Sequence, residues 1–222
     1  MYCNVCNERI ENEASWTTLF DFKAQAPICQ ACLNQLVPIE APKCDYCGRD
    51  DVTHCFDCER WKEKKLLSKN RSVFQYNEFL KELVSQFKYR GDYQLVSSFE
   101  QVFVTAFKQA FPSLPEETRL VPIPLSDKRL ASRAFNQAEA LANLLPYDQL
   151  PLLKRVEGEK QAKKNRRARL SMKNPFALNV DYDQVPVILI DDIYTTGATI
   201  HHAAGVLKAN GYQKIASFTL AR

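Results

Sequence analysis

The chain has 222 residues, of which 45% are hydrophobic and 25% are charged, and its formal net charge is +4. Such a composition is ordinary for a soluble globular protein, and the length allows one good core with a small appendage. The sequence contains neither a recognisable signal peptide nor an apolar run of membrane-spanning length. We therefore expect a cytoplasmic protein, and the modest net charge by itself does not indicate an anionic partner.

All eight cysteines precede residue 60 and form four Cys-x-x-Cys pairs: Cys3/Cys6, Cys29/Cys32, Cys44/Cys47 and Cys55/Cys58. Two such pairs complete one tetrahedral Zn²⁺ site, so the sequence predicts two zinc ions. A disulfide scaffold would need an oxidising compartment, and a redox motif would need only one pair. The zinc sites join either consecutive pairs or interleaved pairs. His54 is expected to be a bystander, because eight thiolates already fill two tetrahedra.

The cysteine-containing segment has too few apolar residues to fold without metal. We predict a double zinc-binding module over residues 1–60, followed by a charged linker over 61–71. Residues 72–222 are predicted to form an α/β domain, in which 72–115 supply a helical hood and 116–222 supply the core. In one alternative, the zinc module has a purely structural role and serves as a docking surface for a partner protein.

Hydrophobic periodicity locates the first elements of this domain. It predicts helices over 77–88 and 93–111, and Asn77 is the expected N-cap of the first. Residues 119–124 form a short strand, whose prolines favour an edge position or a bend into a loop. A further helix is predicted from about 136 to 144.

The second half of the domain begins with a basic segment over 154–173, where nine lysines and arginines face two glutamates. A solvated surface is an alternative to an anion-binding role for this run. A strand over 185–190, a helix over 198–210 that Gly211 closes, and a strand over 214–220 follow. Strands that alternate with helices predict a parallel sheet.

A predicted ligand site follows the strand at 187–190. Asp191 and Asp192 come at its end, where ligands bind in α/β sheets, and a Thr/Gly loop then opens a helix. Backbone N–H groups and hydroxyls of such a loop suit a phosphate monoester, and paired carboxylates suit sugar hydroxyls or hydrated Mg²⁺. The loop residues are Thr195, Thr196, Gly197, Ala198 and Thr199. The alternative is an acidic turn and a helix capped by Thr195 or Thr196, without ligand.

The string from 187 to 199 resembles the motif that binds 5-phosphoribosyl 1-pyrophosphate (PRPP) in type I phosphoribosyltransferases. Together with the cysteine pairs, Phe-Lys-Tyr-Arg-Gly-Asp (87–92), Val-Pro-Ile-Pro-Leu-Ser (121–126) and Arg-Ala-Phe-Asn-Gln-Ala (133–138), it resembles the ComF family of competence proteins. The resemblance covers essentially the whole chain. It implies a type I phosphoribosyltransferase-like parallel sheet flanked by helices, with a small N-terminal double zinc-finger module.

The resemblance also implies a pyrophosphate loop over 126–136, which offers Arg129, Arg133 and Asn136. The basic segment 154–173 corresponds to the mobile loop of this fold. One residue departs from the family pattern, since Ala134 stands where glycine is usual. Because alanine disfavours positive φ, either the loop does not need that conformation or it is altered here.

Two functions follow from the resemblance. The first is a competence protein of natural transformation that handles single-stranded DNA with a ComFA-like ATPase, peripheral to the membrane DNA-uptake machinery. The second is an active phosphoribosyltransferase that uses PRPP and Mg²⁺ with an acceptor that the sequence does not identify. No catalytic residue is assigned from the sequence.

Overall fold

The structure, a computed structural model, describes residues 2–10, 28–53, 55–89, 95–156 and 174–222. Six strands occur in these ranges: β1 (Asn70–Phe74), β2 (Arg119–Pro122), β3 (Leu153–Arg155), β4 (Phe176–Leu178), β5 (Val187–Ile193) and β6 (Ile215–Ala221). The helices are α1 (Gln30–Leu33), α2 (Phe56–Lys62), α3 (Glu78–Tyr89), α4 (Leu95–Ala110), α5 (Asp127–Arg133), α6 (Gln137–Ala142) and α7 (Ala198–Ala209).

The centre of the fold is a four-stranded, entirely parallel sheet in the order β1-β6-β5-β2. The α/β architecture with a parallel sheet flanked by helices, predicted from the sequence, is confirmed. β2 lies at one end of the order, as its prolines predicted, because proline cannot donate to a second neighbour. All four strands run the same way, so their carboxyl ends meet along one edge of the sheet.

Both faces of the sheet are buried, which explains the continuous apolar run of β5. Ile188 and Ile190 point into one core with the phenylalanines of α4, while Val187 and Leu189 point into a second core with α7. Successive side chains of a strand point to opposite faces. A run with no polar alternation is therefore what a strand covered on both sides requires.

The predicted helices lie close to their expected positions. The first begins one residue after Asn77, whose Oδ1 accepts a hydrogen bond from Leu80 N at 2.8 Å. Gly211 follows α7 with φ of 95°, as expected for a helix-ending glycine. β3 and β4 form an antiparallel ribbon that was not predicted. The intervening residues 157–173 of the basic segment lie outside the described ranges, as do Arg90–Asp92 of the 87–92 motif.

The third cysteine pair is attached to the edge of the sheet by a buried polar network. Asn70 Nδ2 donates to Cys47 O at 3.0 Å, and Asn70 Oδ1 accepts from Ser217 Oγ at 2.8 Å. Next to Asn70 and Ser217, the Ser72 and Thr219 hydroxyls lie 2.7 Å apart. Because buried polar groups are costly without partners, this network fixes the register of β1 against β6.

Residues predicted as a linker, 61–71, contain the end of α2 and the start of β1. Trp61 and Leu67 are buried in the same core as the apolar residues of α7. The division of the chain into a zinc module, a linker and a third domain stays a prediction. Among the described residues, no helix combines the length and the apolar character that crossing a membrane requires.

Candidate functional site

A cavity of about 250 Å³ lies at the carboxyl ends of β2 and β5. The connection from β2 to α5, the start of α6 and the end of β5 form its walls. Its polar lining residues are Lys88, Arg129, Arg133, Asn136, Gln137, Arg155, Asp191, Asp192, Thr195 and Thr199. Seven of these ten were predicted as site residues from the sequence, and the fold brings them together from separate elements.

The two acids occupy the end of β5, which continues through Ile193 and does not stop before Asp191 as predicted. Asp191 Oδ1 accepts a hydrogen bond from Asp192 N at 2.9 Å. Burial, followed by the like charge of Asp192, holds the pKa of Asp191 well above its ordinary value. The site therefore stores an unfavourable interaction that a ligand hydroxyl or a cation would relieve.

Lys88, in the last turn of α3, forms an ion pair with Asp192 Oδ2. Both side chains are largely shielded from water, with 19% and 12% of their surface exposed. The 87–92 motif was recognised in the sequence, but its lysine was not predicted as a site residue. It places a cation directly beside one of the two carboxylates.

The loop Thr195–Thr199, predicted to bind phosphate and called the phosphate loop, makes the turn from β5 into α7. Gly197 is the N-cap of α7 with φ of 75°, and no side chain caps this helix. A Cβ at this position would lie 2.3 Å from Tyr194 Oη, so no other residue fits. The alternative in which Thr195 or Thr196 caps the helix is wrong, because glycine occupies the cap position and leaves the first N–H groups of α7 without a side-chain acceptor.

Cations line the cavity beside the acids. Arg129 and Arg133 lie on α5, and Arg133 Nη1 donates to Gln137 Oε1 at 2.8 Å. Arg155 comes from β3, with its guanidinium 5.4 Å from the Phe176 ring centroid. Burial and then the like charge of Arg129 lower the pKa of Arg155. The cavity thus combines a pair of acids with several cations, a set suited to a ligand with hydroxyl and phosphate groups.

Asn136 lines the cavity, but its amide works within the protein. Nδ2 donates to Ile123 O and to Glu139 Oε1, both at 3.1 Å, and Oδ1 accepts from Ala138 N at 3.0 Å. Both amide hydrogens are therefore used. Asn136 caps α6 and ties the loop to the end of β2, and its contact with a ligand stays a prediction.

Ala134 adopts the conformation that alanine disfavours. It ends α5 with φ of 66° in the left-handed region, and its N–H donates to Leu130 O at 2.8 Å. Neither of the two possibilities from the sequence holds, since the loop adopts positive φ and the alanine does not alter that conformation. The backbone keeps the conformation typical of a glycine cap although a Cβ is present.

Ala134→Gly is therefore expected to raise the free energy of unfolding by about 0.5–1 kcal/mol, since the left-handed conformation costs an L-residue ~1–2 kcal/mol and glycine entropy offsets part of the gain. Denaturant unfolding measures this. Ala131→Gly, inside the same helix and equally exposed, is the matched control and should lower it by about 1 kcal/mol. A loss of stability in both variants would contradict the argument.

The eight cysteines form two clusters, each from consecutive pairs. The first cysteine cluster is Cys3, Cys6, Cys29 and Cys32, and the second cysteine cluster is Cys44, Cys47, Cys55 and Cys58. Within each cluster all four sulfur atoms lie within 4.8 Å of one another. The consecutive pairing is thus the one that the fold adopts, and the interleaved arrangement is wrong. His54 lies outside the described residues.

The spacing of the sulfur atoms fits zinc. Cys6 and Cys29 Sγ are 3.6 Å apart, and the distances from Cys44 to Cys58 and from Cys47 to Cys55 are both 3.8 Å. In a tetrahedron with Zn–S bonds of about 2.3 Å, sulfur atoms are about 3.8 Å apart. None of the eight cysteines forms a disulfide.

The two clusters differ in their surroundings. Every cysteine of the second cluster is at most 5% exposed and packs in the core around α7. In the first cluster, Cys6 is exposed, whereas Cys3 and Cys32 are buried in the core around α4. A metal ion held at the second cluster would therefore lie in the same core as α7, the helix that the phosphate loop precedes.

Comparison with models of protein families gives no match. The chain is 38% identical over 230 residues to competence protein ComFC of Bacillus subtilis (strain 168), covering all of this chain and 95% of that protein. It is 30% identical over 226 residues to competence protein ComFC of Streptococcus pneumoniae (strain ATCC BAA-255 / R6), covering the full length of both. Competence protein F of Haemophilus influenzae is 27% identical over 216 residues, 90% of this chain and 92% of that protein.

Proposed function

Because this chain belongs to the ComFC family of competence proteins, we propose that it acts in natural transformation, in the uptake and handling of single-stranded DNA. A ComFA-like ATPase is the partner that the family resemblance implies. The relatives named for competence align over at least nine-tenths of this chain. This coverage supports a role for the whole chain, with its cysteine clusters and its α/β core, in that process.

The cavity at the end of β5 binds a phosphoribosyl compound. The observation that carries this proposal is that Asp191 and Asp192 line the same cavity as Thr195 and Thr199. Loop N–H groups at the start of α7 suit a 5-phosphate, and the carboxylates suit the 2- and 3-hydroxyls of ribose. One ligand, a 5-phosphorylated ribose, satisfies both halves of the site.

DNA itself is a poor ligand for this cavity. Its sugar has no 2′-hydroxyl, and its 3′-oxygen is esterified, so the two acids would be left facing a phosphodiester. Contacts with single-stranded DNA are better made elsewhere, and the basic segment that starts at Lys154 is one source of cations for phosphates. In this proposal the cavity binds the phosphoribosyl ligand, and single-stranded DNA binds at a different surface of the protein.

The alternative function is phosphoribosyl transfer. The observation that favours it is the group of cations in the same cavity, Lys88, Arg129, Arg133 and Arg155. These four cations would stabilise the negative charge of the departing pyrophosphate. Mg²⁺ held by the two acids would stabilise the same charge. The acceptor that would attack C1 of the ribose stays unassigned.

Calorimetric titration of one preparation with ribose 5-phosphate, PRPP and a single-stranded oligonucleotide, each with Mg²⁺, tests these functions. We expect both phosphoribosyl compounds to bind, PRPP more tightly because its pyrophosphate reaches the cations. Oligonucleotide should bind without displacing ribose 5-phosphate. Absence of affinity for every phosphoribosyl compound would refute the cavity assignment, and pyrophosphate release from PRPP would favour the enzyme.

A further inference from the structure

Four successive carbonyl groups at the phosphate loop accept hydrogen bonds from side chains. Arg222 Nη1 donates to Tyr194 O at 3.3 Å and to Thr195 O at 3.0 Å. Trp61 Nε1 donates to Thr196 O at 2.9 Å. Both donors are distant from the loop in sequence.

The fourth carbonyl, Gly197 O, lies 2.7 Å from His201 Nδ1. A carbonyl can only accept, so Nδ1 carries the hydrogen, and Nε2 accepts from the Tyr46 hydroxyl at 3.0 Å. The His201 ring stacks on Trp61, with the ring centroids 4.3 Å apart. The loop, the histidine and the tryptophan therefore form one packed unit.

Holding the carbonyls also aims the N–H groups. In a planar trans peptide, the C=O of one residue and the N–H of the next point in opposite directions. Fixing the carbonyls of residues 194–197 fixes the N–H groups of residues 195–198 on the other side. Thr195 and Thr199 of the same loop line the cavity. The loop N–H groups that a phosphate would contact are thus held through the carbonyls of the same peptides.

The side chains that hold the loop carbonyls, and Tyr46 that holds His201, are all connected to the second cysteine cluster. Arg222 Nη2 lies 3.7 Å from Cys55 Sγ. Trp61 follows Cys58 on α2, within the same helix. Tyr46 lies between Cys44 and Cys47, and it is buried with them. The first cysteine cluster packs in the other core and makes none of the hydrogen bonds to the loop just described.

We propose that the second cysteine cluster, through Arg222, Trp61 and His201, holds the phosphate loop in the conformation that binds phosphate in the cavity. The proposal rests on the proposed phosphoribosyl function of that cavity. Arg222, Trp61 and His201 are positioning residues, since they act on the backbone of the loop. The first cysteine cluster has no such effect.

The test uses the full chain and ribose 5-phosphate as the probe. Trp61→Phe keeps a ring against His201 but removes the N–H that Thr196 O accepts, and Arg222→Gln removes the link to Cys55. Both keep all eight cysteines. Each is expected to retain two zinc ions and to weaken ribose 5-phosphate binding by about threefold to tenfold, the equivalent of one hydrogen bond. Lys62→Gln, exposed on the same helix, is the control and should bind as the wild type does.

A second readout does not need the ligand. Exchange of the His201 amide, which donates to Gly197 O at 2.9 Å, should accelerate about tenfold in Trp61→Phe and Arg222→Gln, since local opening becomes easier. Cys6→Ser, which breaks only the first cluster, should leave both exchange and binding unchanged.

The outcomes separate the two proposals. Weaker binding and faster exchange in the two positioning variants, with unchanged Cys6→Ser, support the inference. Wild-type binding and exchange in both positioning variants overturn it. If the wild type does not bind ribose 5-phosphate at all, the proposed function fails, and unchanged exchange of the His201 amide would then refute the support of the loop as well.

Discussion

Protein purified under reducing conditions is expected to contain two zinc ions per chain, and Cys44→Ser is expected to contain one and to be largely unfolded. A structural zinc site is worth about 10–16 kcal/mol, which is comparable to the ~5–15 kcal/mol stability of a whole domain. Losing an ion from a cluster whose cysteines are at most 5% exposed removes the centre of the core around α7. Metal analysis and circular dichroism measure both effects.

Cys6→Ser provides the matched comparison. It also removes one thiolate from four, but Cys6 is exposed, so the disturbance stays at the surface of the first cluster. We expect this variant to lose one zinc ion as well and to keep its folded core, with a smaller fall in Tm than Cys44→Ser. One equivalent of zinc or less in the wild type, or equal falls in Tm, would contradict the assignment of the two clusters.

The second large effect is expected at the acid pair. Asp191→Asn/Asp192→Asn should lower the affinity for ribose 5-phosphate by more than about 100-fold, because hydrogen bonds to charged groups are worth ~1.5–3 kcal/mol each and two are lost. Thr195→Ser is the control, since it keeps the hydroxyl of the phosphate loop and should bind nearly as the wild type does. Calorimetry with Mg²⁺ measures these affinities. Unchanged binding in the double variant would exclude the acids from the site.

The stability of Asp191→Asn should depend on pH in one direction. The folded state raises the pKa of Asp191, so it holds the proton more tightly than the unfolded state does, and ionisation destabilises the fold. Wild-type stability therefore falls as pH rises from the unfolded pKa, about 3.9, through the raised folded value. At neutral pH the variant should be the more stable protein, and the difference should vanish in acid. If the acid had a purely structural role, the variant would be the less stable one at neutral pH.

The positions of the two acids and of the loop Thr195–Thr199 between a strand and a helix could be predicted because their information is local. A buried strand, two acids, a Thr/Gly turn and a helix follow one another within thirteen residues, 187–199, and the structure keeps that order. The same holds for the cap at Asn77 and for the edge position of β2, since each depends on one or two residue types. The end of β5 differed, because Asp191 and Ile193 still pair with β6.

Features that depend on tertiary contacts could not be predicted. Lys88 and Arg155 reach the cavity from α3 and β3. The local sequence around each of them does not indicate that Asp191 and Asp192 lie nearby. The pairing of the cysteines was open, because Cys-x-x-Cys spacing is the same for either arrangement. The hydrogen bonds from Trp61 and Arg222 to loop carbonyls follow no sequence pattern, since any residue supplies a carbonyl.

The polar network between β1 and β6 has a consequence for how the chain reaches its fold. Ser72 and Thr219 are 147 residues apart, whereas Cys44 and Cys58 are separated by only 14. Closing a short loop costs little conformational entropy, so the second cysteine cluster can form early. β1 can pair only after β6 has been synthesised. At about 5–20 residues per second, synthesis of the intervening segment takes roughly 7–30 s. During that interval β1 has an open edge, and a chain stopped before Ile215 is expected to aggregate even with both clusters loaded with zinc.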